Sequence, residues 1–131
     1  MTRVALIMVL LAWAQSSQAQ EIYYLFSFSV PHQSLVQAAS QAEKTGAVMV
    51  LRGLVEDNWS ITLRKVLAIL RDSKSSPQVA IDPTLFERFK VQRVPAVVGV
   101  CDDGTVRKVY GNIPIPEALR IIEGSGQCWK R

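Results

Sequence analysis

The sequence is poor in the residues that build metal centres and redox centres. Among 131 residues it has two cysteines, Cys101 and Cys128, and one histidine, His32. The cysteines lack the C-x-x-C spacing of a redox pair or a zinc knuckle, and these three residues do not supply the four ligands of a structural zinc site. We therefore predict neither a metal nor another cofactor.

Long apolar runs are also scarce. The longest, residues 4–14, is only 11 residues, whereas a membrane-spanning helix needs about 20. Arg3 precedes this run and Ser17-Gln18-Ala19 follows it, the pattern of a secretory signal peptide. We expect cleavage after Ala19, with 1–19 as the signal peptide and 20–131 as a single periplasmic domain. A retained membrane anchor is the alternative.

The sequence contains no block of like charges, no repeat and no glycine-rich phosphate loop. The formal net charge is +4, and the basic residues are dispersed, which argues against a nucleic-acid surface. No nucleophile–base pair or carboxylate pair is evident, and no small-molecule substrate is indicated. These absences favour a binding protein over an enzyme.

Apolar periodicity and turn residues predict the order β-α-β-α-(β)-α-β-β-α. The first strand, 22–29, has no polar alternation and is typical of a buried central strand. Gly46 ends the first helix, and Asp82-Pro83 begins the third. The predicted elements are strands at 22–29, 47–51, 78–81, 96–101 and 105–110, and helices at 32–45, 60–73, from 83 onward, and from 114 to 124.

The second predicted helix, 60–73, has a regular apolar pattern. Leu63, Val66, Leu67 and Leu70 are assigned to one face, and the basic residues of the helix to the other. We therefore expect these four side chains to form its buried face.

The predicted layout is α/β: a mixed central sheet with helices on both faces and a C-terminal β-hairpin plus helix. A parallel crossover followed by a hairpin and a helix is the thioredoxin-like arrangement, although the order alone leaves other α/β layouts open. Pro95 in Val94-Pro95-Ala96 stands where thioredoxin-like proteins keep a cis-proline, with an ordinary trans proline as the alternative. Against the C-P-H-C motif of DsbA-type oxidases, Pro31 and His32 match, but Val30 and Gln33 replace both cysteines.

Three segments resemble the TrbC family of F-type conjugative systems. They are Ser27-Phe28-Ser29-Val30-Pro31 with Ser34-Leu35, then Val50-Leu51-Arg52-Gly53-Leu54, and Ile81-Asp82-Pro83-Thr84-Leu85-Phe86 followed by Val94-Pro95-Ala96. The resemblance implies a periplasmic component of a type IV secretion system that acts in pilus assembly and associates with a TraW-type partner. His32 is a departure from the family pattern.

We predict a partner-binding groove formed by Ser29, Pro31, Arg52, Val94 and Pro95. Arg52 ends a strand at the sheet edge where ligands usually bind, so it could hold a partner carboxylate; a solvated arginine is the alternative. For His32, an exposed first-turn position is favoured over an acid–base role. A thiol-disulfide isomerase or chaperone-like enzyme that uses Cys101 or Cys128 is the rival function.

The topology also predicts a structural disulfide between Cys101 and Cys128. The strand that starts after Pro95 carries Cys101 to the sheet edge far from the first helix's start. The last helix should run antiparallel to the final strand, which returns its end and Cys128 to that same edge. Both sulfurs would then lie in one neighbourhood, remote from the predicted groove.

Overall fold

The computed structural model describes residues 21–124. Its elements follow the predicted order. The strands are β1 (Glu21–Phe26), β2 (Val48–Leu51), β3 (Val79–Ile81), β4 (Ala96–Val100) and β5 (Val106–Tyr110). The helices are α1 (His32–Thr45), α2 (Trp59–Ser73), α3 (Pro83–Arg88) and α4 (Ile115–Gly124), and a short 3-10 turn spans Val55–Asp57.

The five strands form one mixed sheet in the order β3-β2-β1-β4-β5. β1 pairs in parallel with β2, which pairs in parallel with β3, and β1 pairs antiparallel with β4, which forms a hairpin with β5. β1 therefore lies in the centre, as its continuous apolar sequence predicted. The outer strands differ: β3 has three residues and lies between Pro77 and Pro83, and β5 carries Arg107 and Lys108.

Alternate residues of β1 point to opposite faces and build two cores. Tyr24 and Phe26 pack on one face with buried residues of α1, α2 and α4, including Leu35, Ile69 and Leu119. Leu25 packs on the other face in a second cluster whose buried members include Phe86 of α3, Phe89, Val91 and Val98. Helices therefore cover both faces of the mixed sheet, as predicted.

Local signals placed several helix ends correctly. Gly46 follows α1 with a left-handed φ of 80°, and its N–H donates to the carbonyl of Ala42 at 2.9 Å. Asp82 caps α3, because its side chain accepts from the Thr84 N–H at 2.9 Å. The first strand, however, ends at Phe26 and not at Ser29, since a turn in which the Val30 N–H donates to the Ser27 carbonyl begins there.

The predicted buried face of α2 is partly wrong. Val66 and Leu70 pack against the core, but Leu63 and Leu67 are each 52% exposed. The fully buried positions are Ile69 and Thr62, a polar residue that periodicity assigned no role. Thr62 is tolerated inside because its hydroxyl makes two hydrogen bonds, so the helix is rotated relative to its simplest amphipathic pattern.

Candidate functional site

Three connecting segments meet at one edge of the sheet. Phe26, the last residue of β1, pairs with Leu51, the last residue of β2. Ala96, the first residue of the antiparallel strand β4, pairs with Leu25. The segment after β1, the segment after β2 and the Val94-Pro95 segment therefore lie together, at the carboxyl ends of the parallel strands where α/β folds usually bind ligands.

A cleft of about 500 Å³ opens at this edge. Among the described residues that line it, only two arginines are charged, and most of the others are aliphatic or aromatic. The lining residues are Phe26, Ser27, Phe28, Leu51, Arg52, Gly53, Leu54, Val55, Phe86, Val91, Gln92, Arg93 and Val94. The size lies within the ~300–1,000 Å³ typical of ligand pockets, so the cleft can accept several side chains or a short extended segment.

The two arginines are positioned by aromatic rings. The Arg52 guanidinium carbon lies 5.1 Å from the centroid of Phe86, and that of Arg93 lies 4.7 Å from the centroid of Tyr110. Within residues 21–124 neither arginine makes a salt bridge. A planar guanidinium held over a ring keeps its donors available for bidentate bonds to a carboxylate. The cleft therefore combines an apolar lining with a site for negative charge.

One wall of the cleft is a strained loop fixed by a buried side chain. Glu56 and Asp57, beside the lining residue Val55, have left-handed φ values of 52° and 51°. The Thr62 hydroxyl accepts from the Val55 N–H and donates to the Asn58 carbonyl, each at 2.8 Å. Because left-handed backbone is unfavourable for residues with a Cβ, the loop depends on contacts such as these to hold its shape.

The predicted groove residues reach this edge, but only some line the cleft. Arg52 and Val94 do, whereas Ser29, Pro31 and Pro95 are not among the lining residues. Ser29 and Pro31 are exposed at the start of α1. The Val94–Pro95 bond, whose isomer the sequence left open, is cis, and the Pro95 carbonyl accepts from the Gly111 N–H at 3.0 Å.

Several lining residues escaped sequence reasoning. Leu54 and Phe86 appeared only within the segments that resemble the family, and Val91 and Arg93 were assigned no role. One sequence feature could have indicated Arg93. It immediately precedes the Val94-Pro95 pair, so a prediction that puts this pair at the sheet edge also puts Arg93 there.

The positions aligned with redox cysteines contain no thiol. Val30 is 5% exposed and belongs to the core cluster around α1, while Gln33 is exposed in its first turn. Cys101 is buried after the last residue of β4, where Val100 pairs with Glu21 at the amino end of β1. Cys101 is six positions beyond Pro95, on the far side of the five-residue strand β4, which is a distance of roughly 20 Å at 3.3–3.4 Å per residue. Cys128 lies outside the described residues, so the disulfide with Cys101 stays a prediction.

His32 is exposed, as favoured from the sequence, and makes a contact that the sequence did not reveal. Its Nε2 lies 2.7 Å from Oδ2 of Asp72, near the end of α2. This hydrogen bond lowers the pKa of Asp72 below its usual value, and a second hydrogen bond, from Arg71, makes a smaller contribution in the same direction. His32 thus links the start of α1 to α2, which is a structural role.

Two other kinds of feature are absent from residues 21–124. No group of three or more His, Cys, Asp and Glu side chains is arranged to hold a metal ion. None of the helices in this part of the chain has the length and apolar character needed to cross a membrane.

Comparison with known proteins identifies the family. Residues 24–122 match the model of the type-F conjugative transfer system pilin assembly protein. The chain belongs to this family. It is 32% identical over 109 residues to the periplasmic protein TrbC of Escherichia coli strain K12, an alignment that covers 83% of this chain and 50% of the relative. The chain thus spans about half the length of that relative, and the predicted periplasmic location agrees with the relative's name.

Solved structures confirm the thioredoxin-like fold. A secreted disulfide oxidoreductase of Mycobacterium tuberculosis superposes with a TM-score of 0.59 at 12% identity, covering 82% of each chain. A thioredoxin-like protein in its oxidised form gives a TM-score of 0.56 at 14% identity, covering 81% of this chain and 78% of the other. At such low identity these likenesses establish the fold and carry no information on activity.

Proposed function

We propose that this chain is a non-redox binding module that acts in conjugative pilus assembly in the periplasm, as part of an F-type type IV secretion system. The observation that supports this most is the cleft itself. It is apolar, bears two arginines without salt bridges among the described residues, and opens at the sheet edge where α1 begins, beside a segment in which Val30 and Gln33 stand at the positions aligned with redox cysteines.

The lack of a cysteine at positions 30 and 33 argues against thiol-disulfide exchange at this edge. That reaction begins with attack of a thiolate on a disulfide sulfur, and neither valine nor glutamine can provide one. Cys101, the one cysteine within residues 21–124, is buried at the opposite edge of the sheet. An insulin-reduction assay should give only background rates. Activity that is lost in Cys101→Ser or Cys128→Ser would favour the isomerase-like alternative.

The proposed ligand of the cleft is a segment of another conjugative secretion component, a TraW-type protein by the family resemblance. Apolar side chains of this segment would fill the cleft, and a carboxylate would bind Arg52 or Arg93. A hydrogen bond to a charged group contributes about 1.5–3 kcal/mol, so loss of one such contact should weaken binding roughly 10- to 150-fold.

The matched test uses two arginines in similar settings. Arg52 lies in the cleft, 5.1 Å from the Phe86 centroid, and Arg88 lies outside the lining, 5.1 Å from the Phe89 centroid. We expect Arg52→Glu to reduce co-purification of the TraW-type partner and conjugation frequency, while Arg88→Glu leaves both near wild type. Urea unfolding of both variants checks that each is folded.

A second variant fills the cleft without removing a contact. A Cβ added at Gly53 would meet no atom within 4 Å, and Gly53 lacks a positive φ. Gly53→Ala should therefore be tolerated, whereas Gly53→Phe should occupy the cleft and block the partner. Normal binding and conjugation by both folded Arg52→Glu and folded Gly53→Phe would refute the cleft as the binding surface.

Export and processing are part of the proposal. The mature protein should begin at Gln20, after removal of residues 1–19. Intact-mass measurement of periplasmic protein tests this, and a full-length chain in the membrane fraction would support the retained anchor instead.

A further inference from the structure

A ridge of apolar side chains runs along the outer face of α2. Trp59, Leu63 and Leu67 follow one another at four-residue spacing and are 65%, 52% and 52% exposed. Thr62 and Ile69 are buried on an adjoining face of the helix, and Ile69 belongs to the core. Side chains at i, i+4 and i+8 form the type of row that packs into the groove of a second helix, so this ridge has the geometry of an unfilled helix–helix contact.

Basic side chains flank the ridge. Arg64 and Arg71 of α2 and Lys74, which directly follows the helix, lie beside the ridge, and Asp72 is the single acidic residue of α2. Asp72 already accepts hydrogen bonds from His32 and Arg71. Within residues 21–124, Arg64 and Lys74 form no salt bridge. The lining of a shallow groove beside the ridge includes the apolar Leu67 and Leu70 and the basic Arg64, Arg71 and Lys74, so the groove combines apolar and positive groups.

The charge of this surface indicates what covers it. Residues 1–20 and 125–131 contain no Asp or Glu, so neither segment has side chains of the complementary negative charge. A symmetric pair of copies would place the same patch against itself, basic residues facing basic residues. The complementary occupant is therefore a different protein that brings apolar side chains and carboxylates on one helix.

We propose that the α2 ridge is a second docking surface, which binds an acidic amphipathic α-helix of another protein. Recognition of this kind uses apolar anchors at helical spacing, with charged residues beside them setting the orientation. The proposal rests on the proposed role of the chain as a binding module, but the surface shares no residue with the cleft around Arg52.

Photo-crosslinking in conjugating cells tests the identity of the occupant. A photoreactive benzoylphenylalanine at position 63 is compared with one at position 121, because Ile121 on α4 is 49% exposed and offers a matched apolar site elsewhere. We expect one discrete adduct from position 63 and none from position 121. Mass spectrometry of the crosslinked peptide should identify an acidic, amphipathic segment of a different protein.

Paired double variants test the contribution of the ridge. Leu63→Ser with Arg64→Glu alters neighbouring apolar and basic residues of α2, and Ile121→Ser with Arg120→Glu makes the same changes on α4. We expect the first pair to reduce crosslinking from position 67 at least tenfold, and the second to leave it unchanged. Co-purification of the cleft's partner, which Arg52→Glu should reduce, should persist in both double variants. This readout separates failure of the present proposal from failure of the proposed function.

Several results would overturn the proposal. An adduct with lipid, together with binding of the purified protein to anionic phosphatidylglycerol vesicles, would assign the ridge to a membrane surface. An adduct with a second copy of this chain would assign it to self-association. A partner segment without acidic residues, or no adduct at position 63 or 67 in cells that conjugate normally, would equally refute it.

Discussion

Replacement of Thr62 by valine should loosen the cleft wall while hardly changing the volume of the core. Thr62 is 1% exposed, and its hydroxyl accepts from the Val55 N–H and donates to the Asn58 carbonyl, each at 2.8 Å. Valine keeps the shape but cannot make either bond. The Asn58 carbonyl still accepts from the residue-62 N–H at 3.1 Å, so the main loss falls on the partly buried Val55 N–H.

The expected cost follows from that unpaired donor. Leaving a buried donor without a partner costs about 1–3 kcal/mol. For a domain of this size, 1 kcal/mol corresponds to roughly 4–8 °C in melting temperature. Thr62→Ser is the matched control, because it retains the hydroxyl and loses only a methyl group, worth about 0.8 kcal/mol.

Amide hydrogen exchange separates the two variants more sharply than stability alone. The Val55 amide should lose protection in Thr62→Val and keep it in Thr62→Ser, since only the serine can accept from it. Urea unfolding supplies the accompanying free energies. Wild-type stability and a protected Val55 amide in Thr62→Val would show that the hydroxyl does not hold this loop.

Three further predictions concern stability. Asp82→Ala should cost about 0.5–2 kcal/mol in urea unfolding through loss of the α3 cap, with Asp82→Asn largely sparing it; equal costs for both would contradict a capping role. Hydrogen bonds lower the pKa values of Asp72, Asp82 and Asp103 in the folded protein. The three carboxylates therefore stabilise the fold above their unfolded pKa values near 4, and this contribution is lost as the pH falls through their folded pKa values. A free energy of unfolding that does not change from pH 5 to pH 2 would contradict this. A disulfide between Cys101 and Cys128 should add about 3.5 kcal/mol in the chain-entropy model, and non-reducing peptide mapping that finds two free thiols would exclude it.

Local signals predicted the helices and strands because proline, glycine and capping residues mark their ends. α1 has the predicted bounds, and Gly46 and Asp82 act as predicted. The 3-10 turn was not predictable in the same way. Its left-handed residues, Glu56 and Asp57, are not glycines, so nothing in the sequence marks the left-handed backbone. The turn is held by the side chain of Thr62, seven positions beyond Val55.

The cleft was predictable in position but not in composition. Strand order alone brings Arg52 and Val94 to one sheet edge, because both adjoin strand ends that meet there. Phe86 and Val91 reach the cleft from the connection between β3 and β4, whose path over the second face depends on tertiary packing.

The face of α2 was misassigned because periodicity treats every leucine as buried and every threonine as exposed. Hydrogen bonding allows Thr62 to be buried instead.

The outer strands limit how this protein can associate with other chains. Exposed strand edges offer unpaired backbone groups to neighbouring chains and promote aggregation. Here one edge strand has only three residues between prolines, and the other carries Arg107 and Lys108. Extension of the sheet across molecules is therefore disfavoured at both edges, which would protect a pilus-assembly factor from joining polymers by continuous β-pairing.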